Sequence, residues 1–489
     1  MESYIIERSR APRSAWELIK NLTLNLNKAN HQLFCHILIG TIINIKRWEI
    51  NGWVPVCQRL IRKHWKGQAN WHEIYPEGLI EIKLYNKEAG LSNEFRVPLE
   101  IVEQYLACFP SKTEDYVGLE IVNIFTGKVM RQLNGSKLTD NTGHPEPALV
   151  KSAMQTIERC VFNAWAIESH LAMLKVVQDQ AEKDYLAEPT EDNEKKLKTA
   201  KHRYLNDLYC FKSIQTRQIK PLGNGFFVYK PAYASQMSGR ISEENGGLQS
   251  CSRGMKEAAF SEVERLRNYD LKSSQPSGLI QQFELAKLDT CWLVNYINDP
   301  DAKRKYAAAV GISVDCWKNC LCATMMGAFV KAGNKTGSVA EYIAVEAGGD
   351  DEKTLALLDK YCEVIKPLKV QLDKWHNWLL KDYLQIHGIS YWVKGKQYIK
   401  NPTGKNLCLT DLKGSRDDKK RVLAAFVLQG FEAGFIHHLT LLSQEYDYEV
   451  LSNQHDGLIA LGEIPLEAVE RAKEISGLHY ANLEVKPLT

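Results

Sequence analysis

The last part of the chain alternates between apolar and polar blocks that predict one long helix followed by a β-hairpin. Between residues 417 and 446, apolar side chains recur with helical spacing, which predicts a strong helix. Residues 449–451 and 458–461 are strand-like, and they enclose a short polar stretch that contains Asp456. Apolar strands on both sides of a tight polar turn predict a hairpin. Because Asp-Gly is a common hairpin turn, the pattern alone explains Asp456 as turn chemistry.

The region before this hairpin is predicted to mix helices with α/β structure. Residues 148–214 have a helical pattern broken once, at 187–193, which predicts two helices folded into an arm. Beyond Gly223 the pattern changes to mixed α/β, and a second helical region, 350–386, leads into a strand-turn-strand at 388–409. The second helix of the arm is rich in lysine, with Lys195, Lys196, Lys198 and Lys201. A solvated helix face explains this run slightly better than direct phosphate contact.

The composition is that of an ordinary soluble globular protein of roughly two to four domains, with 489 residues, 44% hydrophobic and 25% charged. The amino-terminal residues contain no apolar core of signal-peptide length, and the longest apolar run, 37–45, is too short to span a membrane. We therefore expect a cytoplasmic protein with no membrane partner. The 12 cysteines lack paired metal-binding spacing and are expected to be reduced. Cys316, Cys320 and Cys322 crowd together, but no nearby histidine completes a ligand set.

Charge is unevenly distributed although the net charge is only +3. The first seventy residues contain many more bases than acids, and Trp16, Trp48, Trp53 and Trp65 lie among the bases. Aromatic rings that stack on bases, beside cations that neutralise phosphates, suit nucleic-acid binding. A solvated basic face over a tryptophan-containing core explains the same residues equally well.

A second aspartate is the natural partner for Asp456 if the site carries chemistry. Transfer of a nucleotidyl group needs two divalent metals, and those metals need at least two carboxylates, usually on neighbouring strands. Asp270 is a candidate, because small polar residues follow it as they follow Asp456. On its own stretch of sequence, Asp270 is better explained as an ordinary loop aspartate.

A series of short motifs extends over the last two thirds of the chain. In order they are Ser238-Gly239-Arg240-Ile241-Ser242, Leu248-Gln249, Tyr269-Asp270-Leu271-Lys272-Ser273-Ser274-Gln275, Lys318 with Met326-Gly327, Arg421 with Gln429-Gly430, Gln454-His455-Asp456-Gly457 and Asn482-Leu483-Glu484-Val485. Their order and internal spacing resemble family A polymerases, which include bacterial DNA polymerase I and the phage single-subunit RNA polymerases. The resemblance covers about residues 148–489. Each motif is short, and their shared order carries the resemblance.

The resemblance implies an α+β fold, that of a right-hand polymerase with palm, fingers and helical thumb, plus a divergent N-terminal domain. The implied domains are 1–147, divergent, basic and a candidate for template binding; 148–222, a thumb-like helical hairpin; 223–300, the first part of the palm with motif A; 301–400, the fingers with motif B; and 401–489, the second part of the palm with motif C. No D-x-E set of exonuclease carboxylates occurs in the first 145 residues, so proofreading is not expected.

The resemblance also implies roles for individual residues. Asp270 and Asp456 would hold two Mg²⁺ ions, for which Mn²⁺ would substitute, with the Leu271 carbonyl as a further ligand. The implied nucleotide-binding residues are Lys318, Gln275 and Met326. Lys318 would face the triphosphate and, as a catalytic residue, donate a proton to the leaving group. The implied nucleic-acid-binding residues, near the primer terminus, are Arg240, Arg421, Gln429 and His455. Taken singly, each of these also fits a structural polar role.

Three positions depart from the family pattern. Val314 stands where motif B usually has an arginine, Met326 replaces an aromatic residue, and Gly457 replaces a carboxylate or hydroxyl. Lys303, Arg304 or Lys305 is a candidate to replace the missing arginine in the triphosphate grip.

The expected activity is template-directed addition of deoxynucleotides to a primer 3′-OH, in replication of a plasmid, phage or mobile element. The expected partners are a DNA primer-template and nucleoside triphosphates. The position that selects the sugar falls on Gln275, which is bulky enough to exclude a ribose 2′-OH but has an amide able to hydrogen-bond it. A shift of register would place Gly278 there. The alternatives are a single-subunit RNA polymerase or primase that starts without a primer, and a non-catalytic replication-initiator or nucleic-acid-binding protein.

Overall fold

Helices predominate over short strands in this protein. The computed structural model describes residues 9–44, 52–56, 58–83, 93–130, 146–217, 219–244 and 246–488. Part of the turn-rich stretch 134–147 and parts of the basic region, including Trp48, therefore lie outside the described residues. The elements up to residue 130 are β1 (Arg10–Pro12), α1 (Arg13–Leu22), α2 (Lys28–Asn44), β2 (Val54–Pro55), α3 (Gln58–Trp65), β3 (Glu81–Lys83), β4 (Glu94–Arg96), α4 (Leu99–Ala107) and β5 (Ile121–Asn123), with short 3₁₀ turns at Trp71–Glu73, Tyr75–Glu77 and Thr113–Tyr116.

The tryptophans of this first region belong to its core and to cation–π contacts. Trp65 is buried, and its indole N–H donates to Gln32 at 3.1 Å. The Trp16 ring has Arg13 at 5.4 Å and Lys20 at 5.2 Å from its centroid. Cations held over an aromatic face stabilise the protein itself. Of the two explanations of the basic, tryptophan-containing start, the described residues favour a packed core with a basic surface.

The next region forms a helical arm preceded by a small strand. Its elements are α5 (Ala148–Thr156), β6 (Cys160–Asn163), α6 (Ala164–Ala187), α7 (Glu191–Gln215), β7 (Lys220–Gly223), β8 (Phe226–Tyr229), β9 (Tyr233–Ser235), β10 (Ile241–Glu243) and α8 (Arg253–Ala259). The arm is confirmed, since α6 and α7 pack as a hairpin. The prediction of one break was wrong, because β6 interrupts the helical pattern by pairing with β8, from Cys160 opposite Tyr229 to Asn163 opposite Phe226.

Three of the four lysines named in the arm form helix-surface ion pairs. Lys196 reaches Asp192 at 2.6 Å, Lys198 pairs with Glu194, and Lys201 reaches Glu182 across the hairpin at 3.0 Å. Pairs one turn apart are typical of a solvated helix face. These contacts favour that interpretation over direct phosphate contact.

A helical region follows and has its own hydrophobic core. Its elements are β11 (Leu266–Leu271), α9 (Ser274–Leu285), α10 (Cys291–Asn298), α11 (Ala302–Val310), α12 (Val314–Met325), α13 (Ser338–Glu346), α14 (Asp351–Leu379), a 3₁₀ turn at Tyr383–Gln385, β12 (Ser390–Val393), β13 (Lys396–Lys400) and β14 (Asn406–Cys408). Trp317 and Trp375 are fully buried within it. Ser313 caps α12 and Asp350 caps α14, each accepting from the backbone N–H three residues on.

The last elements complete a four-stranded antiparallel sheet. They are α15 (Arg416–Leu442), β15 (Glu449–Asn453), β16 (Gly457–Leu461), α16 (Leu466–Ser476) and β17 (Leu483–Lys486), and the strand order is β15-β16-β11-β17. Neighbouring side chains of a strand face opposite sides. Accordingly Leu458 and Ala460 pack with Phe435 and Leu439 of α15, whereas Ile459 joins the core that contains the amino-terminal region. The sheet thus separates two cores.

The predicted helix over residues 417–446 is confirmed as α15, which begins at a capping box between Ser415 and Asp418. This helix is long and apolar enough to cross a membrane, but 72% of its most apolar window is buried inside the protein. That burial is typical of the core helix of a globular protein. The domain boundaries inferred from the resemblance remain a prediction.

Candidate active site

Asp270 and Asp456 lie side by side at the same end of the paired strands β11 and β16 of the central sheet. Asp270 is the penultimate residue of β11 and is the register partner of Gly457, the first residue of β16. The Leu271 N–H donates to the Asp456 carbonyl at 2.8 Å. The sequence placed these two aspartates 186 residues apart, and strand pairing brings them together. The Leu271 carbonyl, the predicted third ligand, belongs to the residue that follows Asp270 on the same strand.

The hairpin tip that carries Asp456 is held by its own hydrogen bonds. The Gln454 N–H donates to the Gly457 carbonyl at 2.9 Å, and the Asp456 N–H donates to the Gln454 carbonyl at 3.1 Å. His455 adopts the left-handed conformation, with φ of 72°, and its N–H donates to the Asn453 side chain at 2.9 Å. A constrained tip fixes the direction of the Asp456 side chain.

The departure at Gly457 has a steric reason. A Cβ atom at this position would lie 2.2 Å from the Tyr269 carbonyl oxygen of the neighbouring strand. No larger residue fits unless β11 and β16 move apart. The glycine therefore permits the close approach that brings the two aspartates together.

Burial and opposing charges both act on Asp270. Burial raises the pKa of Asp270, and the neighbouring Asp456 and Glu484 raise it further. Lys486 of β17 opposes this effect by pairing with the Asp270 carboxylate. Lys486 also lies 3.3 Å from Glu484, the register partner of Asp270. The ammonium group shows that a cation is accommodated against Asp270.

A cleft of about 480 Å³ opens in front of the pair. Asp270, Asp456 and Lys486 line one part of it, and Arg253 and Lys256 from α8 line another. The Lys256 ammonium group donates to the Gln454 side chain at 2.6 Å. The cleft combines two carboxylates with several cations, which suits a ligand that carries both phosphates and metal ions.

Lysines from α11 and α12 approach the same edge of the sheet. Burial lowers the pKa of Lys303, and the charges of Lys318, Lys486 and Lys272 lower it further. Repulsion of this kind places the ammonium groups of Lys318, Lys486 and Lys272 near that of Lys303. Lys318, the predicted catalytic lysine, is half exposed and pairs with Asp315 at 3.0 Å.

Of the three candidates to replace the missing arginine, the geometry favours Lys303. The exposed side chains of Arg304 and Lys305 pair instead with Asp301 at 3.4 Å and Asp299 at 2.6 Å.

Glu432 is a buried carboxylate beside the site that the sequence reasoning missed. It lies in α15 and pairs with Arg240, and the Gln275 side-chain amide donates to it at 3.2 Å. Burial raises the pKa of Glu432 to about 7, with Asp456 acting in the same direction and Arg240 against it. The sequence did contain a sign that Glu432 is special, because it is the one acid in the largely apolar stretch 422–442.

The predicted nucleic-acid-binding residues divide into two groups. His455 precedes Asp456 on the hairpin tip, and burial together with the nearby charges of Arg240 and Lys256 lowers its pKa to about 4. Arg421 pairs with Asp418 near the start of α15 and packs against the turn that ends α12, where a Cβ atom at Gly327 would lie 3.1 Å from its Cγ.

Gln429 and Met326 complete the predicted set. Gln429 lies on the same helix as Arg421, two turns further on. Met326, the predicted nucleotide-binding residue, packs against the core of the helical region.

Asp270 and Asp456 supply only part of the ligands that a metal ion needs. In the part of the chain that the structure describes, no three His, Cys, Asp or Glu side chains gather closely enough to hold a metal ion alone. The Sγ atoms of Cys316 and Cys320 on α12 lie 3.9 Å apart, and these two cysteines belong to no such group among the described residues. Asp270 and Asp456 fit a metal whose remaining ligands are phosphate oxygens, water and a backbone carbonyl.

The comparisons with known proteins assign no family. No protein-family model and no curated protein sequence matches the chain. Among solved structures, the chain is similar to the POL domain of Pol1 from M. smegmatis in complex with DNA primer-template and dNTP. That similarity has a TM-score of 0.45 at 11% identity and covers 92% of this chain and 81% of the other. A similarity of this size carries no assignment of fold or activity.

Proposed function

We propose that this protein is a template-directed DNA polymerase that adds deoxynucleotides to a primer 3′-OH. The observation that carries the proposal is the pairing of Asp270 with Asp456 at the ends of adjacent antiparallel strands, facing a cleft surrounded by lysines. Two carboxylates held rigidly at one edge of a sheet form the protein's part of a two-metal site. The proposal includes Mg²⁺ as cofactor, a DNA primer-template as partner and the cytoplasm as location.

The roles of the site residues follow from their charges. Asp270 and Asp456 would hold two Mg²⁺ ions, which lower the pKa of the attacking hydroxyl and neutralise the leaving pyrophosphate. Lys303 and Lys318 would bind the triphosphate from the side of α11 and α12, and Lys318 would supply a proton to the leaving group. Lys486 would leave Asp270 when a metal binds and move to the incoming phosphates.

Arg240 and His455 would contact the primer terminus. Arg240 is mostly buried and is held by Glu432, so its guanidinium has a fixed direction beside Asp456. A cation restrained in this way binds a sugar or base edge at little further cost in side-chain entropy.

One contact favours a second candidate, an RNA polymerase or primase. The Gln275 side chain directs its amide nitrogen toward Glu432, to which that nitrogen donates a hydrogen bond. The amide oxygen is then left to accept from a donor such as a ribose 2′-OH. If that oxygen faces the sugar, Gln275→Ala weakens the use of ribonucleotides; if Gln275 acts only by bulk, the same change increases ribonucleotide incorporation.

The deciding experiment is extension of a labelled primer on a DNA template with Mg²⁺, comparing dNTPs with NTPs. Asp456→Asn and Asp270→Asn are expected to abolish extension. Asp447→Asn is the matched control, because Asp447 is an aspartate with 97% of its side chain exposed that pairs only with Arg265. Products from NTPs on an unprimed template would establish the second candidate. Absence of product under all conditions would support a non-catalytic nucleic-acid-binding protein.

A further inference from the structure

The three-stranded sheet that precedes α15 has one buried and one exposed face. Strands β12, β13 and β14 pair in order, and Lys394 and Gly395 form the tight turn of the first hairpin with φ of 50° and 74°. Ile399 and Leu407 are buried on the inner face. The alternation of side chains along a strand places Tyr391 and Tyr398 on the opposite face.

The outer face carries a pair of stacked aromatic rings. Tyr391 and Tyr398 are register partners, and their rings lie 5.6 Å apart at an angle of 15°. Tyr391 is 37% exposed. Exposed aromatic side chains that lie next to one another mark an interaction site more often than scattered single ones do.

Lysines surround these rings. Lys396 and Lys400 alternate with Tyr398 along β13 and so share its face, and Lys394 lies at the tip of the hairpin. Asp411 pairs with Lys396 at 2.8 Å. The cations outnumber this acid on the face, so the surface complements a polyanion rather than an apolar protein partner.

The sheet is joined directly to the candidate active site. Asn401 follows the last residue of β13, and its side-chain amide donates to the Ser238 carbonyl at 2.8 Å. Two residues after Ser238 is Arg240, which pairs with Glu432 beside Asp456.

We propose that the outer face of the β12–β14 sheet binds single-stranded nucleic acid. Tyr391 and Tyr398 stack on bases, while Lys394, Lys396 and Lys400 contact phosphates. Bases are available for stacking only when they are unpaired, so the surface prefers single strands to duplex. The inference goes beyond the proposed polymerase activity, because binding requires neither turnover nor metal.

The test measures the affinity of a fluorescent oligothymidine by anisotropy, without nucleotides or divalent metal, against a blunt duplex of equal length. The Tyr391→Ala/Tyr398→Ala variant is expected to bind the single strand roughly tenfold or more weakly and the duplex as before. The Tyr391→Phe/Tyr398→Phe variant keeps the stacking and is expected to bind like the wild type. Tyr342→Ala, which removes an exposed tyrosine from α13, is the matched control.

A second measurement tests the lysines. Lys394→Ala and Lys400→Ala are each expected to reduce the slope of log affinity against log salt by about 0.7, the value for one phosphate contact on a single strand. Lys366→Ala, an exposed lysine of α14, should leave the slope unchanged.

Two results would overturn the inference: equal single-strand affinity of the alanine and wild-type proteins, or equal losses for single strand and duplex. Failure of the polymerase proposal is distinguishable, because it appears as no primer extension while single-strand binding still depends on the tyrosines.

Discussion

Lys486 forms an ion pair with Asp270 across two neighbouring strands of the central sheet. In the proposed two-metal site, a metal ion held by Asp270 would compete with this ammonium group for the same carboxylate. The cation also offsets the repulsion between Asp270 and Asp456, which otherwise opposes strand pairing at this edge. The pair therefore explains how two nearby carboxylates coexist in a folded protein before any ligand arrives.

Replacement of Lys486 by methionine is expected to tighten metal binding. The pair is partly exposed, with 44% and 25% of the two side chains accessible, so its contribution is about 1 kcal/mol or less. Loss of the competitor should lower the dissociation constant of Mn²⁺ roughly two- to fivefold, measured by electron paramagnetic resonance. Lys366→Met is the control, and weaker Mn²⁺ binding by Lys486→Met would contradict the competition.

Gly457→Ala is expected to destabilise the protein. The new methyl group would clash with the Tyr269 carbonyl oxygen and push β11 away from β16. Overpacking of this kind costs about 1–3 kcal/mol, which is measurable as a fall in the denaturant midpoint. Gly278→Ala in α9 is the matched control, because its added Cβ makes ordinary contacts with Leu428 at 3.4 Å and Leu478 at 4.0 Å. Equal midpoints for the two variants would show that the strands separate at no cost.

The stability of the protein should depend on pH through Glu432. Burial raises its pKa in the folded state to about 7, above the value of about 4.3 expected in the unfolded chain. The folded state therefore holds the proton more tightly, and the associated stability is complete below about pH 4 and is lost as the pH rises through about 7.

The Glu432→Gln variant removes this titration. The wild type should consequently lose free energy of unfolding relative to the variant between about pH 5 and 8, measured by denaturation at each pH. Glu363→Gln, an exposed glutamate of α14, is the control and should follow the wild type. Parallel curves for the wild type and Glu432→Gln would show that Glu432 titrates normally.

Lys303 and Arg304 are adjacent cations for which we expect opposite outcomes. Lys303 faces Lys318 and Lys486 near the aspartates, whereas Arg304 pairs with Asp301 at the surface. Lys303→Ala should raise the KM for nucleotide roughly tenfold or more, the value of one charge-assisted contact to phosphate. Arg304→Ala should leave KM unchanged in the same primer-extension assay. A larger rise in KM for Arg304→Ala than for Lys303→Ala would show that the triphosphate binds elsewhere.

Local sequence patterns predicted the elements that carry the site but not all of its members. The helix that became α15 and the hairpin around Asp456 are encoded by spacing within thirty residues, and both are present. The neighbourhood of Asp270 and Asp456 was also predicted, from the order of motifs rather than from periodicity. The two aspartates are close because β11 pairs with β16, and the spacing of apolar residues within one strand does not encode which distant strand it pairs with.

The contacts of Lys486 and Glu432 could not be predicted either, because they too depend on segments distant in the sequence. Lys486 looks like any exposed strand lysine until β17 is paired with β11, which sets it against Asp270. Glu432 carries a compositional signal, an acid within an apolar helix, but its partners Arg240 and Gln275 come from distant segments. The strand β6 was missed because its pairing with β8 overrode a helical pattern.

The strand order of the central sheet also has a consequence for synthesis on the ribosome. Asp270 and Lys486 are 216 residues apart, and β11 lies between β16 and β17, which are both made much later. At about 5–20 residues per second, β11 waits roughly 10–40 s for its neighbours. During that interval both edges of β11 can pair with wrong partners. The helices that lie between β11 and β16 in the sequence have time to fold. We expect a nascent chain halted before residue 457 to depend on chaperones and to show none of the activity of the released protein.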